Sequence, residues 1–137
     1  MDPILFPALA LIGFTVLVGF IHTYVSISIM NPNKEFKDGI PLAPYESSPE
    51  NLKLIKNNIK NLFEFPVLFY VLIGIIFLNN FSDTIFLVLA WSYFAFRVLH
   101  SYVHIFMRNT NIRGMLWIFT QLILLIIFIK LILVLFL

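Results

Sequence analysis

Four long apolar runs dominate this 137-residue sequence and restrict it to one class of structure. The runs are Ile4–Met30, Leu62–Leu78, Ile85–Phe106 and Met115–Leu137. Each is close to or above the ~20 residues that cross the hydrocarbon core of a bilayer as an α-helix. Hydrophobic residues make up 61% of the chain and charged residues only 12%, which excludes a soluble domain of ordinary composition. The sequence therefore predicts an integral membrane protein with four membrane-spanning helices.

The connections between the runs predict the rest of the architecture. We expect one domain over residues 1–137, an all-α, up-down bundle with four helices at about 4–30, 49–78, 84–107 and 113–136. The segment at about 31–48, rich in proline and charge, is predicted to be a cytoplasmic loop. Pro66 is expected to kink the second helix because proline cannot donate a hydrogen bond to the carbonyl four residues earlier.

Basic residues indicate the orientation in the membrane. Lysines and arginines gather in the first connection, the start of the second helix and the third connection, whereas the N-terminus and the second connection have none. The positive-inside rule then places both termini outside the cytoplasm. The first run follows Asp2 without a basic segment and is longer than the ~7–15-residue apolar core of a cleaved signal, so we interpret it as a retained helix.

Other classes of function are disfavoured by composition. Cysteine is absent, which excludes a thiol nucleophile and disulfides, so any thiol chemistry requires a bound ligand. The sequence has no basic stripe with interleaved aromatic residues of the kind that binds nucleic acid, so we expect no nucleic-acid partner. A transporter is also disfavoured, because the sequence has no inverted repeat and no evident broken-helix site.

Two of the predicted helices each carry polar residues along one face, called a polar stripe here. The second helix has its stripe at Asn57, Lys60, Asn61 and Glu64, and the third at Tyr93, Arg97, His100 and His104. A hairpin turning near Asn80 would bring Glu64 and Arg97 to nearly the same depth. An arginine at membrane depth costs ~2.5–3.5 kcal/mol on insertion scales. We therefore predict a structural ion pair between Glu64 and Arg97.

The two histidines of the third helix leave two interpretations open. A single buried histidine is more often a hydrogen-bonded link between helices than a ligand-binding residue. Two on one helix face, beside a predicted ion pair, also fit a binding site. The spacing of His100 and His104 could chelate zinc, but no third ligand is evident, so we expect no metal site.

Two segments carry a resemblance to a known family. NLFEFPVLFY at 61–70 and FRVLHS at 96–101, together with four spans and an arginine at the start of the fourth helix, resemble the MAPEG family, the membrane-associated proteins in eicosanoid and glutathione metabolism. The resemblance covers the whole chain and is closest to the bacterial branch. It implies a homotrimer among lipids of a bacterial inner membrane, with glutathione as co-substrate in a groove between adjacent subunits near the cytoplasmic face.

The resemblance also implies residue roles. Arg113 would stabilise the glutathione thiolate as the catalytic residue. The implied glutathione-binding set is Lys60, Asn61, Glu64, His100, His104 and Arg113. The sequence departs from the family pattern at three positions, with Asn57 in place of a common arginine, His104 in place of a tyrosine and Gly114 in place of a frequent serine.

Two functions follow from this resemblance. One is a glutathione-dependent membrane transferase or peroxidase that acts on lipophilic electrophiles or lipid hydroperoxides at a subunit interface. The other is a non-catalytic lipid-binding or scaffold protein of the same fold. The sequence leaves open whether the protein is an enzyme.

Overall fold

The computed structural model describes residues 2–30, 50–107 and 109–136, and these residues form helices joined by short connections. The helices are α1 (Leu5–Met30), α2 (Glu50–Glu64), α3 (Pro66–Leu78), α4 (Thr84–Tyr102), which continues into a π-helical turn (Val103–Met107), and α5 (Thr110–Phe136). The described residues contain no β-strand, so the predicted all-α class is confirmed. The loop predicted at about 31–48 lies outside the described residues.

Four segments of the described chain are long and apolar enough to cross a membrane. They are Leu5–Ser28, Leu52–Leu78, Thr84–Met107 and Thr110–Phe136. Large apolar side chains cover their outer surface, for example Phe20, Phe63 and Val88. Hydrocarbon accommodates such a surface without the cost that water would impose. The protein is an integral membrane protein built as a four-helix bundle.

Pro66 divides the second span into α2 and α3. Proline has no N–H, so the carbonyl of Leu62 loses its helical donor and the helix is interrupted at Phe65. The N–H of Leu68 donates to the carbonyl of Phe65 at 3.0 Å, which starts α3 directly after the interruption. All charged residues of this span lie in α2. The interruption therefore separates a polar half of the span from an apolar half.

A tight turn joins α3 to α4. Asn80 adopts a left-handed conformation with φ 56°, which asparagine tolerates better than most residues. The N–H of Phe81 donates to the carbonyl of Ile76 at 3.0 Å and closes the end of α3. The carboxylate of Asp83 then accepts a hydrogen bond from the N–H of Phe86 at 2.8 Å and caps α4. These contacts fix the short connection between α3 and α4.

The apolar core lies at the end of the bundle that contains this turn. Buried residues of α1, α3, α4 and α5 form one cluster, which includes Leu11, Phe69, Ile76, Ala90 and Ile127. The rings of Phe69 and Tyr93 stack with centroids 4.4 Å apart at the inner limit of the cluster. The opposite end of the bundle, built from α2, the π-helical turn and the start of α5, buries polar residues such as Asn58, His100 and His104 beside apolar ones.

Charged residues connect the elements around the turn. The ammonium group of Lys130 on α5 donates to the carboxylate of Asp83, and the hydroxyl of Ser82 donates to the carboxylate of Asp2 at 2.6 Å. Burial acts to raise the pKa of Asp83, but the hydrogen bonds from Lys130 and from the N–H of Phe86 outweigh it, so this pKa lies below its ordinary value of 3.8. The hydrogen bond from Ser82 likewise lowers the pKa of Asp2.

We expect Asp83→Asn to destabilise the protein by about 1 kcal/mol at neutral pH, because it leaves the ammonium group of Lys130 without its counter-charge. A carboxyl group with a lowered pKa stabilises the fold above its unfolded pKa and loses this effect as the pH falls through the folded value. The difference between wild type and variant should therefore disappear as the pH falls below 3.8. Thermal unfolding in detergent across this pH range measures it.

The double variant Asp83→Asn/Lys130→Met provides the control, because it removes both charges together. It should be more stable than Asp83→Asn alone. Equal stability of the single and double variants would show that the pair does not couple α4 to α5.

Candidate functional site

A polar cavity of about 390 Å³ lies at the end of the bundle opposite the turn. Its lining comes from α2, α4, the π-helical turn and α5, and consists of Asn57, Lys60, Asn61, Glu64, His100, His104, Arg113, Gly114 and Trp117. All six residues that the family resemblance implied for glutathione binding line this one cavity. We refer to it below as the polar cavity.

Helix α2 contributes one face to the polar cavity. Asn57, Lys60, Asn61 and Glu64 recur at three- and four-residue intervals, which places them on one side of an α-helix. The ammonium group of Lys60 lies 3.7 Å from the carboxylate of Glu64, and their side chains are 75% and 46% exposed. Both charges therefore lie at an open rim, where a ligand can reach them.

The start of α5 brings Arg113 to the polar cavity. The side-chain carbonyl of Asn109 accepts hydrogen bonds from the N–H groups of Asn111 and Ile112, each at 3.1 Å, and caps the helix. Helix α5 therefore begins at Thr110, whereas the sequence suggested about 113. Arg113 lies in the first turn, so its side chain extends from the end of a rigid helix.

The two histidines form the inner wall of the polar cavity. His100 is 3% exposed and His104 is 4% exposed, and their ring centroids are 5.9 Å apart. Both ring nitrogens of His100 and the Nδ1 atom of His104 are buried and find no hydrogen-bond partner among the residues that the structure describes. His104 lies in the π-helical turn, a distortion that recurs at functional sites.

Arg97 lies deeper in the bundle and does not line the polar cavity. It is 1% exposed, and its Nε and Nη2 atoms each donate to the hydroxyl of Tyr93 at 3.1 Å. Glu64 instead pairs with Lys60 on the cavity side. Within the described residues of this single chain, the ion pair expected between Glu64 and Arg97 is not formed. Equal depth along two helices does not make their side chains point toward each other.

Three lining residues were absent from the site that the resemblance implied. Asn57 and Gly114 occupy positions where the sequence departs from the family pattern, and Trp117 is the third of these residues. The rings of Trp117 and Phe65 meet edge to face at 5.5 Å, so Trp117 also braces α5 against the α2–α3 interruption. Its position one turn after Arg113 was the signal that could have placed it at the site.

An apolar groove of about 450 Å³ continues along the same pair of spans. It is lined by Leu68, Val71, Leu72 and Ile75 of α3 and by Gln121, Leu124, Leu125 and Phe128 of α5. Leu68 is one turn beyond Glu64, and Gln121 is one turn beyond Trp117. The polar cavity and the apolar groove therefore follow each other along one seam of the bundle.

The described part of the chain does not provide a set of side chains for a metal ion. No group of three or more histidine, cysteine, aspartate or glutamate side chains is placed there to hold a metal ion. The lining of the polar cavity is instead a mixture of cations, amides, imidazoles and one carboxylate.

Comparisons with known proteins identify the family. The comparison with curated proteins finds no match to this chain, and the comparison with solved structures also finds none. The family model described as "MAPEG family" matches residues 4–133, which is nearly the whole chain. This match agrees with the resemblance carried by the second and third spans. The chain belongs to the MAPEG family.

Proposed function

We propose that this protein binds glutathione in the polar cavity and transfers it to lipophilic electrophiles or uses it to reduce lipid hydroperoxides. One observation carries the proposal. The residues that the family resemblance implied for glutathione binding come from three parts of the chain, and all line the same cavity.

The charges of the polar cavity match those of glutathione. Glutathione carries two carboxylates and one ammonium group at neutral pH. Lys60 offers a cation for a carboxylate, and Glu64 offers a carboxylate for the ammonium group. Asn57 and Asn61 supply amide donors and acceptors for the peptide groups. Lysine binds a carboxylate as a point charge, so Lys60 lacks the bidentate geometry that an arginine would provide.

Arg113 supplies the electrostatic part of the chemistry. A free thiol has a pKa of ~8.5, so most of it is protonated at neutral pH. A guanidinium group beside the sulfur stabilises the thiolate and lowers the pKa of the thiol. The thiolate then attacks an electrophilic carbon and forms the C–S bond, while the bond that breaks at that carbon gives its electron pair to a leaving group or to an adjacent atom that is then protonated. In the peroxidase reaction, two glutathione molecules reduce one hydroperoxide to an alcohol and water and form glutathione disulfide.

The apolar groove fits the second substrate. It begins one helical turn from the polar cavity and is lined by apolar side chains apart from Gln121. A lipophilic electrophile could therefore enter from the bilayer and extend along α3 and α5 toward the thiolate. Holding the two reactants next to each other lowers the entropic cost of the reaction.

The proposal includes an assembly and an orientation. We propose a homotrimer in which an adjacent subunit covers the open side of the polar cavity, and an inner-membrane location with both termini outside the cytoplasm. The exposed rim at Lys60 and Glu64 is consistent with such a cover. The end of the bundle with the polar cavity would then face the cytoplasm, where glutathione is found.

A non-catalytic lipid-binding protein is the second candidate. The size and apolar lining of the groove favour it, because a volume of about 450 Å³ can hold part of an acyl chain. Such a protein would bind lipid without any effect of glutathione.

We expect Arg113→Ala to abolish the ultraviolet absorbance of the bound thiolate when the detergent-purified protein is titrated with glutathione at neutral pH. The variant removes the cation that stabilises the thiolate, so conjugation of a lipophilic electrophile should fall by about 100-fold or more. Arg113→Lys is the matched control, because it keeps the charge and should retain part of both signals. An Arg113→Ala variant with unchanged absorbance and activity would refute the role of Arg113.

We expect Glu64→Gln to weaken glutathione binding roughly fivefold, equivalent to about 1 kcal/mol, because the carboxylate that meets the ligand's ammonium group is lost at a partly exposed site. A glutathione analogue without this amino group is the control ligand. Its affinity should be the same for wild type and variant. Equal losses for both ligands, measured by calorimetry, would mean that Glu64 does not contact the ammonium group.

A further inference from the structure

The polar cavity contains groups that stabilise a thiolate but needs a separate group to receive the thiol proton. Arg113 and Lys60 are cations without a free lone pair, so they cannot accept a proton. The carboxylate of Glu64 is engaged by Lys60 at the rim. Asn57 and Asn61 carry amides, which are not bases at neutral pH. The lining leaves the two imidazoles as candidates.

The geometry of the histidine pair suits this task. Among the described residues, three of its four ring nitrogens are buried and have no hydrogen-bond partner. Both rings line the cavity that Arg113 also lines, and their centroids are 5.9 Å apart. A buried polar atom without a partner costs free energy. Because both rings line the cavity, a change of rotamer on ligand binding would turn an unpaired nitrogen toward the ligand, which then supplies the missing contact.

We propose that the His100–His104 pair accepts the proton of the glutathione thiol. This inference rests on the proposed function. The S–H bond breaks, an N–H bond forms on an imidazole, and the complex then contains a thiolate and an imidazolium. Arg113 holds the negative sulfur, and the imidazolium keeps the proton inside the protein. After the thiolate attacks an epoxide or an unsaturated carbonyl, the imidazolium returns the proton to the oxygen or carbon that gains the electron pair.

The surroundings of the pair are consistent with this transfer. The charged groups that face the pair are Arg97 from α4, Lys60 and Glu64 from α2 and Arg113 from α5. Helix α1, which packs on α4, has His22 and Tyr24 as its titratable residues. The cations outnumber the carboxylates around the pair, so an imidazolium alone would be repelled. A thiolate formed at the same moment supplies the balancing negative charge.

The amount of proton released to the solvent tests this assignment directly. When glutathione binds at neutral pH, the wild type should form the thiolate while releasing much less than one proton per thiolate. Calorimetry in buffers of different ionisation enthalpy counts the released protons, and the ultraviolet band counts the thiolate. In His100→Gln/His104→Gln, the band should appear only at higher pH, with one proton released per thiolate. Conjugation at neutral pH should fall by about 100-fold.

Two controls separate proton transfer from folding and binding. S-methylglutathione has no thiol proton, so its binding to the wild type should give neither a thiolate band nor a proton signal. His22→Gln removes an imidazole that does not line the polar cavity and should behave as wild type. His104→Gln alone, which changes less of the buried interior, should raise the apparent pKa of the bound thiol and serves if the double variant does not fold.

The outcomes distinguish this inference from the function on which it rests. A wild type that binds neither S-methylglutathione nor glutathione overturns the proposed function. A wild type that binds both, but releases a full proton for each thiolate, overturns only the role of the histidines. A histidine variant with the wild-type pH profile does the same.

Discussion

The high cost of placing polar groups in hydrocarbon determines how this bundle is arranged. The described spans meet that constraint by burying an apolar core near the α3–α4 turn, where the charges of Asp83 and Lys130 pair with each other, and by placing the polar cavity at the other end. The boundary between the apolar core and the polar cavity lies at the Phe65–Pro66 interruption in the second span and near Arg97 in α4. Arg97 itself is shielded from lipid, and the hydroxyl of Tyr93 accepts two of its hydrogen bonds. Because Tyr93 also stacks on Phe69, the arginine is held at the inner limit of the apolar core. The region between Arg97 and α2 lies outside the apolar core, and the polar cavity forms there.

Much of the fold could be predicted from the sequence because it depends on local patterns. The four spans follow from the length of the apolar runs, and the polar stripes of α2 and α4 follow from helical periodicity. The direction of individual side chains was harder to predict. Glu64 pairs with Lys60 of its own helix, whereas Arg97 is buried and donates to Tyr93. Helix α5 starts at Thr110 because the side chain of Asn109 caps it. The sequence alone did not distinguish such a cap from an asparagine in a loop. Periodicity identifies which residues share a helix face, whereas tertiary packing determines which residues that face contacts.

The succession of a polar cavity and an apolar groove along one seam explains why two functions fit the same fold. A binding protein for lipids needs the groove alone. A transferase needs the groove and the cavity in contact, with a reactive atom near their junction. Trp117 lies at that junction, where it lines the cavity and packs against Phe65. Its ring therefore limits how far an apolar substrate could advance toward Arg113. The lining of the cavity favours the transferase, because a lipid-binding groove has no need for Lys60, Glu64 and two buried imidazoles beside it.

The absence of cysteine makes the division of labour in such a site unusually clear. Under the proposed function the reactive sulfur arrives with the ligand, and the residues of the protein position it, stabilise its charge and accept and return its proton. Arg113 is suited to the charge because a guanidinium remains protonated, but for the same reason it cannot take the proton. An imidazole has the opposite properties, since its ordinary pKa of ~6.5 lets it gain and lose a proton near neutrality. A cavity that combines Arg113 with His100 and His104 therefore contains both capacities on separate side chains. A purely structural histidine pair would be expected to form hydrogen bonds through its ring nitrogens within the bundle. Three of the four ring nitrogens have no such partner among the described residues.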